Sequence, residues 1–191
     1  DNLNANLGMP YIWYNDSQSF LIRTLPQNRA ALLNADEDLP TGPIVSTADG
    51  KVSQNRTYQD LLKNPQDEKN FETLTASEIY NVDLTGNLKK LKDQDMYAGL
   101  SFSPDGSYLL ATIIKKPFSY IVPLSRFPST TVVYDMKGNT VKTVNDVPLN
   151  EIMPKGFSSV RTGKREMEWR SDAPATLTYA EALDGGDQSK T

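Results

Sequence analysis

A hairpin pattern that occurs three times constrains the fold of this chain more than any other feature. The three segments are "WYNDSQSFL" from Trp13, "FSPDGSYLL" from Phe102 and "WRSDAPATL" from Trp169. Each has an aromatic residue, an aspartate three positions later and a leucine eight positions after the aromatic residue. Alternating apolar residues flank a short turn, in which the aspartate can accept hydrogen bonds from nearby backbone N–H groups. The pattern predicts three equivalent β-hairpins, with Asp16, Asp105 and Asp172 capping their turns and Trp13 and Trp169 in the core.

A second turn also recurs, in "VDLTGNLKKL" from Val82 and "YDMKGNTVKTV" from Tyr134. Both contain an aspartate, an apolar residue, one variable residue and then Gly-Asn, so Gly86 and Gly138 are available for a positive φ. The two kinds of hairpin alternate along the chain, twice over, and a third opening hairpin follows. Each complete unit therefore contains four strands.

Four-stranded antiparallel units repeated along a chain are typical of β-propeller blades. We expect an all-β fold, a partial β-propeller of about two and a half blades with a helical insertion. One blade spans residues 1–97 with an insertion at 26–76, the next spans 98–150, and a partial blade spans 151–191. The chain is then a fragment of one propeller domain. The alternative is an ordinary β-sandwich with coincidental hairpins.

The long connections, residues 26–76, 115–130 and 145–165, all leave the same end of the predicted sheets. Long loops on one side of a rigid scaffold usually carry the function. The first of them contains a helical pattern in which Tyr58, Leu61 and Leu62 share one face, Pro65 interrupts, and Phe71 and Leu74 continue beyond it. We interpret this pattern as a short helix that caps the fold and binds nothing.

Histidine and cysteine are both absent from the 191 residues. A Ser-His-Asp triad, thiolate catalysis and Cys-ligated zinc therefore cannot be assembled from this chain alone. The net charge is −4 and no stretch concentrates lysine and arginine, so we expect no nucleic-acid partner. The longest apolar run, residues 108–114, is too short to span a bilayer, and we expect no membrane partner, metal or cofactor.

Several long segments make the chain recognisable, among them "RTYQDLLKNPQDE", "PFSYIVPLSRFPSTTVVYDMKGN" and "GFSSVRTGKREMEWRSDAPATLTYAEALDGGD". With the opening "YIWYNDSQSFLIRTLP", they resemble the propeller of glutamyl endopeptidases, serine peptidases of the prolyl oligopeptidase family. The resemblance implies an N-terminal propeller that covers a C-terminal α/β-hydrolase domain, which supplies the catalytic residues and is absent from this chain. The chain would then gate access of peptide substrates and help to bind them, without any activity of its own.

An enzyme that cleaves after acidic residues needs a cation to receive the substrate carboxylate, and the planar fork of arginine suits that role. The candidates on the loop-bearing end are Arg56, Arg126, Arg161 and Arg165. Arg126, in "VPLSRFP" with Tyr120 close by, ranks first, and Arg161 ranks second. The alternative is that each arginine only bonds backbone carbonyls or an acidic neighbour.

Two other functions remain open at this stage. The chain could be a protein-binding propeller scaffold without any peptidase domain, or a stand-alone surface domain that self-associates through open blade edges. A Gly-x-Ser-x-Gly segment downstream in the parent gene would distinguish the peptidase from the scaffold. Bacterial relatives of such peptidases are commonly exported and plant relatives are plastidial, and of the two we expect a periplasmic or extracytoplasmic location.

Overall fold

A computed structural model describes residues 2–34, 58–154 and 158–187 of the chain. These residues form antiparallel sheets and one α-helix, so the chain is mostly β. Sheet 1 contains β1 (Tyr11–Trp13), β2 (Ser19–Thr24), β3 (Ser77–Asp83) and β4 (Leu88–Asp95). Sheet 2 contains β5 (Tyr97–Phe102), β6 (Tyr108–Ile114), β7 (Ser129–Asp135) and β8 (Thr140–Val147). Sheet 3 contains β9 (Arg165–Trp169) and β10 (Leu177–Ala180), and the helix is α1 (Pro65–Thr75).

Neighbouring strands in each sheet follow one another along the chain, as the repeated hairpins predicted. In the first turn, Asp16 accepts a hydrogen bond from the backbone N–H of Gln18 at 2.9 Å. In the second, Asp105 accepts one from the N–H of Ser107 at 3.0 Å. Asp172 differs, because it pairs with the Arg170 guanidinium at 2.6 Å. The predicted four-stranded antiparallel units are confirmed in sheets 1 and 2.

The second recurring turn has the same construction in both sheets. Gly86 has a φ of 87° and Gly138 a φ of 84°, the left-handed region in which glycine carries no steric penalty. Asp83 accepts hydrogen bonds from the backbone N–H groups two and four residues later, and Asp135 does the same. Hydrogen bonds from Thr85 and Asn87 hold the pKa of Asp83 at about 2.

The core lies between sheets 1 and 2. Leu21 and Ile79 of sheet 1 and Leu109 and Ala111 of sheet 2 are all 0% exposed and belong to one apolar cluster. Leu109 and Leu110 point to opposite faces of β6, so Leu110 lies on the side of sheet 2 away from this core. Sheet 2 therefore buries apolar side chains on both of its faces.

Besides Asp172, two expectations were wrong in detail. The helix begins at Pro65, and residues 58–63 before it are not helical. Proline suits the first helical position because its missing N–H would have no intrahelical partner there, and the Asn64 side chain caps the helix by accepting from the N–H of Asp67 at 2.8 Å. Trp13 is 52% exposed and lies on the uncovered side of sheet 1, so it is not a core residue.

Candidate functional site

The two ends of the sheets differ in what they contain. At the end that carries the tight turns, the first opening hairpin contacts the second, and the second contacts the third. The Asn15 side chain donates to the carbonyl of Pro104 at 2.7 Å, and the N–H of Asp105 donates to the carbonyl of Pro174 at 3.1 Å. This end contains tight turns held to one another, which leaves the opposite end for the long connections.

At the loop-bearing end, parts of the three long connections come together around an aromatic cluster. The ring of Phe71 in α1 lies 5.1 Å from that of Phe118 and 5.9 Å from that of Phe127. The Ser119 hydroxyl donates to Glu151 at 2.7 Å, which ties the second connection to the third. The expectation that these connections share one end is met for their described parts.

Tyr120, a predicted substrate-binding residue, lies on this surface and is 41% exposed. Its hydroxyl donates to a carboxylate oxygen of Glu68 in α1 at 3.0 Å. Partial burial and the Glu68 carboxylate raise the pKa of Tyr120. Tyr120 therefore attaches the loop to the helix and keeps an exposed ring.

Arg126, which ranked first among the arginines, lies at the end of a short 3-10 helix, Leu124–Arg126. Its guanidinium lies over the ring of Tyr58, 5.2 Å from the ring centroid, a cation–π contact. Its backbone carbonyl accepts a hydrogen bond from the N–H of Asn150 at 3.0 Å. These contacts hold all three long connections together, so a structural role accounts for part of what Arg126 does.

Arg161 and Arg165 lie near each other at the start of β9. The Arg161 guanidinium donates to the carbonyls of Thr162, at 3.1 Å, and of Lys164. Burial, and then the charge of Arg165, lower the pKa of Arg161. The Arg165 side chain is 23% exposed, and a Glu166 carboxylate oxygen lies 3.8 Å away. The fourth predicted arginine, Arg56, lies outside the described residues.

Arg23 is a buried cation that the sequence reasoning missed. It is 5% exposed, and one terminal nitrogen donates to the carbonyls of Leu7 at 3.1 Å and Tyr97 at 3.0 Å. Its Nε has no hydrogen-bond partner in the described part of the chain, and burial lowers the pKa of Arg23. The burial of Arg23 could have been predicted from its position two residues after Leu21 in β2, because alternate residues share one face of a strand.

Two further observations concern the described residues only. In them, no three acidic side chains are grouped in a way that could hold a metal ion. Their one α-helix is also too short and too polar to cross a bilayer.

The chain is similar to plant proteins named as peptidases. It is 38% identical to the probable chloroplastic glutamyl endopeptidase of Oryza sativa subsp. japonica and 36% identical to that of Arabidopsis thaliana, in each case over 178 residues and 93% of the chain. The chain spans only 19% and 18% of the lengths of these two relatives. No protein-family model and no solved structure matches the chain. The predicted resemblance to glutamyl endopeptidases is confirmed over nearly the whole chain.

The names of the two relatives place those proteins in the chloroplast. They give no support to the predicted periplasmic or extracytoplasmic location.

Proposed function

From this similarity to one segment of two glutamyl endopeptidases, we propose that the chain is a non-catalytic part of a β-propeller in a serine peptidase. In the parent protein, this propeller covers an α/β-hydrolase domain and gates the access of peptides that are cleaved after glutamate. The observation that carries the proposal is a repeated step: sheet 1 contacts sheet 2, and sheet 2 contacts sheet 3, through their opening hairpins. The boundaries predicted for the blades, 1–97, 98–150 and 151–191, are part of the same proposal.

The repeated step is supported by contacts that join the opening hairpin of one unit to the opening hairpin of the next. Asn15 in the first opening turn bonds the second turn, and Asp105 in the second bonds the third. The Tyr14 ring lies 4.3 Å from that of Phe102, which joins sheet 1 to sheet 2. The Trp169 Nε1–H donates to the carbonyl of Ser101 at 3.2 Å, which joins sheet 3 to sheet 2. A propeller requires that each sheet contact the next through the equivalent strand, here the opening strand of each unit.

Two incompletely covered surfaces, one between sheets 2 and 3 and one on the outer side of sheet 1, fit a ring with further blades. Sheet 3 has two strands among the described residues, and an open cavity of about 410 Å³ separates it from sheet 2. Trp13 and Tyr11 are 52% and 44% exposed on the outer side of sheet 1. The relative from Oryza sativa is about five times as long as this chain, given the 19% coverage, and a parent protein of similar length has room for the sheets that would cover both surfaces.

The absence of a catalytic base from this chain also agrees with the proposal, which assigns the catalytic residues to another domain. A serine peptidase needs a general base, usually histidine, and this chain has none. The nucleophile and base would come from the hydrolase domain of the same protein. The loop-bearing end would face that domain, so peptides and extended segments would pass while folded proteins would be excluded.

The test uses the full-length parent protein. We expect it to react with a serine-directed fluorophosphonate and to cleave a short glutamate-containing peptide, but not the same sequence held within a folded protein. Equal cleavage of both would contradict the gate. Failure to cleave either, and to react with the fluorophosphonate, would contradict the peptidase.

A protein-binding scaffold is the rival function, and exposed apolar side chains on the loop-bearing end favour it. Ile121 is 63% exposed and Ile152 is 80% exposed. The parent gene separates the two functions, because the peptidase requires a downstream Gly-x-Ser-x-Gly segment followed by aspartate and histidine.

A further inference from the structure

We propose that Arg161 and Arg165 form a carboxylate-binding site for peptide ligands at the start of β9. The proposal rests on the proposed function, since it takes a peptide as the ligand. It places the predicted carboxylate receptor at this pair instead of at Arg126, whose guanidinium lies over Tyr58.

The first observation is that Arg165 has unused hydrogen-bonding capacity in a half-buried place. Its Nε is buried and has no hydrogen-bond partner among the residues that the structure describes. Its ion pair with Glu166 is long, at 3.8 Å, and the Glu166 side chain is 74% exposed. A buried donor without an acceptor is unusual in a folded protein and calls for a partner.

The second observation is that, among the described residues, the Arg161 guanidinium donates to two backbone carbonyls and forms no ion pair with a carboxylate. The acceptors are the carbonyls of Thr162 and Lys164, which carry no net charge. Burial, and then the charge of Arg165, lower the pKa of Arg161. Two cations held together in partial burial are unfavourable unless an anion joins them.

The third observation is a bulge in β9 next to Arg165. Arg165 pairs with Ala180 and Glu168 pairs with Thr178, so two residues of β9 lie opposite one residue of β10. Glu166 in the bulge has a φ of 51°, a left-handed conformation that is strained for a residue other than glycine. Bulges change the direction of a side chain and are frequent beside binding sites.

Arg165 lines an open cavity of about 360 Å³, together with Ser158, Val160 and Asp184. A backbone hydrogen bond from the N–H of Val160 to the carbonyl of Gly186, at 3.1 Å, closes one side of this cavity. The Asp184 carboxylate accepts the N–H of Gly186 at 2.8 Å. No ion pair within 4.0 Å joins Asp184 to Arg165 in the described part of the chain. Asp184 therefore lies in the same cavity as an opposing negative charge, which we expect to weaken the binding of an anion.

The chemistry of the pair selects a carboxylate. A guanidinium presents its N–H groups in a planar fork that matches the two oxygens of a carboxylate. A peptide offers such a group in two places, on an acidic side chain and at its C-terminus. The experiment distinguishes these two sources.

The test compares Arg161→Gln and Arg165→Gln with Arg170→Gln in the full-length parent protein. Arg170 is a matched control, because it is exposed and pairs with Asp172 in the neighbouring turn. Two pairs of peptides are used as substrates, one differing by glutamate or glutamine at the cleaved position and one by a free or amidated C-terminus. For Arg165→Gln, we expect the kcat/KM preference for one carboxylate to fall about 10- to 100-fold, with the amide partner unchanged.

Loss of the Glu/Gln preference would assign the site to an acidic side chain, and loss of the acid/amide preference would assign it to the C-terminus. Arg165→Lys keeps the charge but not the planar fork, so it should lose part of the same preference. This variant also tests the site if Arg165→Gln does not fold. Asp184→Asn keeps the turn acceptor and removes the opposing charge, so it should raise the same preference by about two- to fivefold.

The proposal is overturned if folded Arg161→Gln and Arg165→Gln variants cleave peptides with both preferences unchanged, and the proposed function then stands. A weakened preference in Asp184→Asn would also count against it. If the parent protein cleaves no peptide, the proposed function fails instead. Equilibrium binding of fluorescent forms of the same peptides then decides the site by the same comparisons.

Discussion

The two interfaces between successive sheets contrast sharply. Between sheets 1 and 2, Leu21, Ile79 and Leu109 are completely buried. Between sheets 2 and 3, an open cavity of about 410 Å³ remains. Tyr179, which lines this cavity on the side of sheet 3, is 49% exposed. The opening hairpins of sheets 2 and 3 carry the same sequence pattern, so the hairpin itself does not decide how well an interface closes. The difference is that the described part of sheet 3 has two strands, while sheet 1 has four.

The contrast shows that how deeply a side chain in this protein is buried depends on whether a neighbouring sheet covers its face of the strand. Trp13 and Leu21 come from the same hairpin, yet Trp13 is 52% exposed and Leu21 is 0% exposed. Leu21 faces sheet 2, and Trp13 faces the side that no described sheet covers. Predictions that alter the closed interface should therefore have the larger effects.

The largest effect is expected for Leu109→Ala in the closed interface. Removing a completely buried leucine leaves a cavity, and such changes lower the free energy of unfolding by about 2–5 kcal/mol. Leu177→Ala in sheet 3 is the matched control, with an expected loss below about 1 kcal/mol, because Leu177 is only partly buried. Urea denaturation of both variants measures the difference. Equal losses would mean that the two interfaces are equally closed.

Gly138→Ala should destabilise more than Gly86→Ala. Both glycines have a positive φ, so both variants strain the backbone, by about 1 kcal/mol. A Cβ at Gly138 would in addition lie 2.5 Å from the Leu91 carbonyl oxygen of sheet 1, whereas a Cβ at Gly86 would meet no atom within 4 Å. The difference between the two melting temperatures therefore isolates the contact between sheets 1 and 2. A difference of zero would remove this contact from the account.

Tyr14→Phe should reduce the loss of stability at alkaline pH. Burial, and then the charge of Asp16, raise the pKa of Tyr14 from 10.0 to about 12 in the folded chain. A raised folded-state pKa gives stability that is fully present below pH 10 and is lost as the pH rises through 12. Phenylalanine keeps the ring beside Phe102 and cannot ionise.

The free energy of unfolding, measured between pH 9 and pH 12, should fall less steeply in Tyr14→Phe than in the unchanged chain. Some slope should remain, because burial also raises the pKa values of Tyr97 and Tyr134. Identical slopes in the two proteins would show that Tyr14 ionises as readily as it does in an unfolded chain.

The smallest effect is expected outside both interfaces, at the start of α1. Asn64→Ala removes the side chain that accepts from the N–H of Asp67, and loss of such a cap costs about 1 kcal/mol. Asn64→Asp keeps an accepting oxygen and should lose little. Thermal unfolding followed by circular dichroism compares the two. Equal losses in both variants would mean that the cap does not stabilise the helix.

The local parts of this fold were predictable because their causes lie within a few residues. The Asp83 and Asp135 turns depend on an aspartate, a glycine and an asparagine at fixed spacing, and the sequence contains all three. The exposure of Trp13 was not predictable, because it depends on which sheet covers β1. The start of α1 was misplaced because Pro65 was interpreted as an interruption, although proline also suits the first turn of a helix.

The candidate site was predictable only as a set of arginines. Arg161 and Arg165 were singled out because they lie in a long connection, but nothing in the sequence ranked them above Arg126. Arg165 lies beside the bulge at Glu166, and glutamate has no preference for the left-handed conformation that it adopts there. The cation–π contact of Arg126 depends on Tyr58, which lies far from it along the chain.

A structure of the full-length parent protein tests the central claim most directly, namely that sheets 1, 2 and 3 are successive blades of one ring. The account predicts that two later strands complete sheet 3 beside β10 and that another sheet covers Trp13. A structure in which sheet 3 keeps only β9 and β10 and Trp13 stays exposed to solvent would contradict it.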